Sequence, residues 1–161
     1  FLNGSCILNV PNAETVVDAG QDSPYNRFAA AAKSGWPLVG AKAGGDADAS
    51  VVPPVTERAV DMLYLTGLQE GWYELLNKEI GLGVRVSWNL DDFPYIWLWQ
   101  EFRGSFGYPF HGRCYVMGVE PCSTPIPDGL AASAERGYAS RLAPGQSKET
   151  EIVFRIQPAN E

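Results

Sequence analysis

Between Val84 and Leu90 the chain alternates without a break. Val84, Val86, Trp88 and Leu90 are apolar, and Arg85, Ser87 and Asn89 between them are polar. A period of two is the mark of a strand with one buried face. Seventeen Gly and twelve Pro cut the rest of the chain into runs of similar length. The runs Ser5–Val10, Ala13–Val17, Asp61–Leu68, Trp72–Leu76, Tyr95–Phe102, Arg113–Glu120 and Thr150–Ile156 read as further strands. Phe28–Lys33 and Ala131–Glu135 read as helical turns, and no longer helix is expected. Roughly seven or eight short strands with frequent turn signals predict an all-β, antiparallel β-sandwich or barrel. Residues 1–161 suit one domain. Residues 18–54 hold Ala29-Ala30-Ala31-Ala32, Gly44-Gly45 and Pro53-Pro54, and read as a long loop of the lid or mobile-linker kind.

Charge and cysteine usage narrow the function. Twelve Lys+Arg against nineteen Asp+Glu give a net charge of -7. Such a chain has no basic surplus to neutralise phosphates, so nucleic acid is not an expected partner. No apolar run approaches the ~20 residues of a membrane-spanning helix, so the sequence implies a soluble protein with no membrane partner. Cys6, Cys114 and Cys122 are three in number and lack Cys-x-x-Cys spacing. They read as small free side chains, and a reducing cytoplasm is the expected compartment. His111 is the single histidine, so a multi-histidine metal centre cannot form within this sequence. No phosphate loop, nucleophile elbow or zinc motif is present.

The chemistry concentrates late in the chain. On a strand, Tyr95, Trp97, Trp99 and Glu101 share one face, and Ile96, Leu98, Gln100 and Phe102 share the other. One reading makes these aromatics core filler. The other makes the Trp faces a platform for a sugar ring, with Gln100 or Glu101 bonding its hydroxyls. Val116, Gly118 and Glu120 alternate on one face of the next strand. A carboxylate ending an apolar strand would be partly desolvated, which raises its pKa and suits a general base. The plainer reading is a solvated glutamate paired with Arg113 or Arg136. Gly118 leaves room for a ligand. His111 reads as an exposed loop residue or an acid. Asp91-Asp92 reads as a turn rather than a cation site.

Several segments together resemble the galactose mutarotase-like superfamily, the aldose 1-epimerases, in a bacterial aldose 1-epimerase-like branch. They are Gly71-Trp72-Tyr73-Glu74, Asp92 through Phe102, Gly118-Val119-Glu120-Pro121 and Leu142-Ala143-Pro144-Gly145-Gln146-Ser147. Trp36-Pro37 and Val52-Pro53 are also similar to that branch. The resemblance implies a β-supersandwich, here its C-terminal half, that interconverts sugar anomers without a cofactor. Glu120 matches the family's base. Trp97, Trp99 and Gln100 would line the sugar cleft, and Arg113 would orient Glu120 or bind a hydroxyl. The family's acid and its orienting partner are histidines of the N-terminal half, one just ahead of a segment whose continuation Phe1-Leu2-Asn3 resembles. An N-terminal half of the same polypeptide is therefore an expected partner beside the sugar. An Asp seen in mutarotases of that family has no secure counterpart. The rival reading is a non-catalytic carbohydrate-binding β-sandwich, and a third is a structural half that is inert alone.

Overall fold

The computed structural model describes residues 1–159. Two antiparallel sheets face each other. One has four strands in the order β1-β7-β8-β11, and the other has five in the order β10-β9-β6-β2-β3. In chain order these are β1 (Cys6–Asn9), β2 (Glu14–Val17), β3 (Lys33–Gly35), β4 (Leu38–Gly40), β5 (Asp46–Asp48), β6 (Ala59–Thr66), β7 (Trp72–Asn77), β8 (Leu82–Trp88), β9 (Tyr95–Phe102), β10 (Tyr115–Cys122) and β11 (Ile152–Pro158). The hairpin β4-β5 stands apart as a small sheet of its own. The single helix among the described residues, α1 (Leu130–Glu135), lies where a helical turn was expected. The all-β sandwich reading therefore holds.

Burial follows the alternation. Leu8 on β1, Leu63 and Leu65 on β6, Val86 and Trp88 on β8, and Ile96 and Leu98 on β9 form one apolar cluster between the sheets. Each such side chain contributes roughly 1.5–3 kcal/mol on leaving water. Phe102 packs with Cys6, Val52 and Ala59 in a second cluster beside it. All three cysteines are free.

Residues 18–54 differ from the long loop expected. They hold β3, β4 and β5, and no helical turn forms at Phe28–Lys33. Phe28, Val39 and Ala49 from this excursion are buried in the main core. An ion pair ties it down: Arg27 Nε donates to Asp61 Oδ2 at 2.8 Å, and the Arg27 backbone N–H donates to Asp61 Oδ1 at 3.0 Å. Arg27 also donates to the Gln100 side-chain oxygen and lies 4.8 Å over the Phe28 ring. Burial pushes the Asp61 carboxyl up, against the Arg27 charge and N–H groups that pull it down.

At β11 the core face is uncovered. Ile152, Phe154 and Ile156 pair directly with Trp88, Val86 and Val84, so they stand on the inner face of the sheet. Yet they are 39, 69 and 79% exposed. Their pattern is that of a buried strand face, and their surroundings are those of a surface. Phe154→Ser should accordingly lower stability by less than about 1 kcal/mol, whereas Leu98→Ala, fully buried, should cost about 2–5 kcal/mol. Urea unfolding of the two variants checks this contrast.

Candidate functional site

The two faces of the five-stranded sheet differ. One packs on the core. The other carries three cross-strand rows fixed by register: Val60, Glu101 and Val116; Met62, Trp99 and Gly118; Tyr64, Trp97 and Glu120. Directly opposed residues share a face. Trp97, Trp99 and Glu120 therefore stand together on the outer face, with both indoles only half buried. This face is the candidate site.

A cleft of about 640 Å³ opens over the middle row, which supplies Trp99 and Met62. Its walls are two loops, one with Asp18, Gln21 and Tyr25, the other with Ser105 and Phe106. Tyr25 and Phe106 meet across it with ring centroids 5.5 Å apart. Phe110 packs on Trp99 at 5.6 Å. The second loop is held from below by Glu101, whose fully buried carboxylate accepts the N–H groups of Gly104 at 2.8 Å and Ser105 at 3.0 Å, and the Ser105 hydroxyl. Charge-assisted bonds of this kind are each worth about 1.5–3 kcal/mol. Glu101 is thus a loop anchor and not a hydroxyl-binding group.

Glu120 is exposed, which corrects the partial desolvation expected of it. Its carboxyl folds back along β10. Oε1 lies 2.7 Å from where a side-chain carbon at Gly118 would sit, and the Trp99 ring edge lies 3.6 Å from the same point. A side chain at 118 would displace the carboxyl from that position. The carboxylate lies over Gly118, at the strand level of Trp99. Arg136, once a possible partner for Glu120, pairs with Asp128 instead.

Two expected site residues lie elsewhere. Gln100 is fully buried on the opposite face, bonded to Arg27 and, through Nε2 at 2.9 Å, to the Ala49 carbonyl. Strand alternation alone separates it from Trp97 and Trp99. Arg113 is exposed in the loop before β10. The strand from Tyr115 to Glu120 spans about 17 Å at ~3.3 Å per residue, so Arg113 cannot orient Glu120. His111 is exposed in the loop after Gly104, with φ 50° and its ring 6.1 Å from Tyr108. Asp92 lies in a turn and pairs with Lys148 at 2.6 Å.

Three residues of this face escaped the sequence reading. Tyr64 donates to Asp18 Oδ2 at 2.7 Å, and Asp18 Oδ1 accepts the Gly20 N–H at 2.8 Å. Burial, then the Asp18 carboxylate, pushes the Tyr64 hydroxyl far up, so it acts as a fixed donor. The Gln21 side-chain oxygen accepts the Met62 N–H, which fixes its amide orientation. The Gln21 Nε2 is buried without a hydrogen-bond partner among the described residues. Asp18 and Gln21 carry no sequence signal, since both lie in an irregular segment. Tyr64 is visible only as one more aromatic on an alternating strand. Among the described residues no group of three or more His, Cys, Asp and Glu side chains could hold a metal ion. Nor is any helix there long and apolar enough to cross a membrane.

The charge of Glu120 is readable through its neighbour. Cys122 lies two residues on along β10, so the two share a face. Burial pushes the Cys122 thiol up to about 11, and the Glu120 carboxylate adds to the rise. Glu120→Gln should lower that value and speed iodoacetamide alkylation of Cys122 at pH 8–9, since the thiolate is the nucleophile. Peptide mass spectrometry follows the modification site by site, and an unchanged rate would place the carboxylate away from the thiol.

No curated protein and no solved structure matches the chain. The model of one family, described as a domain of unknown function (DUF4432), matches residues 19–156. That span takes in β3 to β10 and most of β11, and with them the cleft lining except Asp18, both tryptophans and Glu120; the chain belongs to this family.

Proposed function

We propose that the protein is an aldose 1-epimerase-like isomerase that interconverts sugar anomers on the outer face of the five-stranded sheet. The observation that carries this reading is the Glu120 carboxylate laid back over Gly118 beside Trp99. A pyranose ring stacked on Trp99 would present its C1 hydroxyl to that carboxylate. Glu120 takes the hydroxyl proton while an acid protonates the ring oxygen, and the C1–O5 bond breaks. The aldehyde carbon turns about C1–C2. Closure returns both protons on the other face.

The acid is the missing element. His111 is exposed on a loop whose contact is with Tyr108, so it is not assigned the role. The resemblance assigns it to a histidine in an N-terminal half of the same polypeptide. The uncovered inner face of β11 supports a further β layer on this sandwich.

The exposure of Glu120 favours a second reading, a carbohydrate-binding sandwich without turnover. One variant separates the two. On the isomerase reading, Glu120→Gln abolishes anomer exchange followed by NMR, yet leaves sugar affinity within about threefold. Full activity in that variant would remove Glu120 as the base. Sugar binding with no exchange in the unaltered protein would favour the binding module.

A further inference from the structure

The outer face has a second aromatic floor that the reaction on one ring does not use. Trp97 stands two residues from Trp99 on the same face of β9, about 7 Å away at ~3.3 Å per residue. It floors a separate hollow of about 470 Å³. Both volumes fall in the range of small-molecule sites, roughly 300–1,000 Å³. The Trp97 ring is fixed: its N–H donates to the Thr124 carbonyl at 2.8 Å, and Tyr64 meets it edge-on at 5.9 Å. The walls mix hydroxyls with apolar groups, Ser123 and Ser140 with Ile126 and Leu130. Leu130 is 79% exposed although it borders a hollow. A flat, fixed indole with apolar walls and scattered hydroxyls matches a sugar ring, whose faces are apolar and whose rim is polar.

Glu120 lies between the two floors. Its position pairs with Trp97, and its carboxyl folds back to the level of Trp99. Only one ring of a reducing disaccharide has a free C1 hydroxyl. That ring would sit on Trp99 against the carboxylate. The second ring, joined through a hydroxyl other than that at C1, would sit on Trp97.

We propose that the site takes the reducing end of a di- or oligosaccharide, with Trp99 holding the reacting ring and Trp97 the next one. This rests on the sugar-cleft reading above, and the test separates the two. Affinities are measured by calorimetry for maltose, cellobiose and lactose, each against glucose, which is the reducing ring of all three. In at least one pair the disaccharide should bind tenfold or more tightly than its monosaccharide. Ser140→Trp, which fills the hollow from its exposed rim, should erase that advantage and leave the monosaccharide affinity unchanged. Saturation-transfer NMR on the unaltered protein gives an independent reading, and both rings should receive saturation. Equal affinity for the two members of every pair, with saturation confined to one ring, would overturn the second subsite and leave the cleft reading standing. An advantage that survives Ser140→Trp would also overturn it. Binding of none of these sugars would overturn both.

Discussion

The register of β9 is the constraint on which the rest depends. It is hydrogen-bonded on both edges, to β6 and to β10, so its alternation is imposed on two neighbours. A one-residue slip would exchange the faces of the strand. Ile96, Leu98 and Phe102 would leave the core, and two tryptophans would have to enter it. The large apolar burial on one face therefore locks the indoles onto the other. Once they are there, pairing brings Glu120 opposite Trp97 and Gly118 opposite Trp99 without any contact chosen for function.

Polar groups at the two ends of that arrangement are held by loops. Glu101 anchors the loop that begins at Gly104. Asp61 and Gln100 hold Arg27 and with it the excursion that bears Asp18 and Gln21. A buried charge is tolerable only when it is paired and its remaining lone pairs are satisfied. Asp61 meets that condition by drawing in the Arg27 side chain and the Arg27 and Phe28 backbone N–H groups. The network has a consequence for the cleft: its wall is fastened to the core by the same ion pair that solvates Asp61.

The strands that were easiest to read were those with one strong apolar face. β9 runs from Tyr95 to Phe102, as its alternation states. β10 starts and ends two residues later than expected, because Pro121 reads as a terminator. It pairs with Ile96 instead, on a strand at the sheet edge, where a residue without an N–H costs no ladder bond. β3, β4 and β5 have only three residues each, too few for any period to show. They depend on Arg27 and Asp61, which are far apart in sequence. The strand faces of the tryptophans and of Glu120 were legible because strand period and pairing place them. Gln100 and Arg113 were misplaced for different reasons. Gln100 is polar in a strand, which suggested a ligand, but its parity puts it in the core network. Arg113 is near Glu120 in sequence, but an extended strand carries the two apart.

On the proposed reading, the outer face of the five-stranded sheet, and no other surface, receives the sugar. Five tryptophans make that directly measurable, since Trp36, Trp72, Trp88, Trp97 and Trp99 each give one indole N–H signal. The account predicts that titration with a binding sugar, followed by ¹H–¹⁵N NMR, shifts the Trp99 indole first and the Trp97 indole with it. The Trp88 signal, whose N–H donates to the Phe93 carbonyl on the other sheet, should stay still, as should Trp72, stacked under Arg85. Shifts at Trp72 or Trp88 with Trp97 and Trp99 unmoved would contradict it.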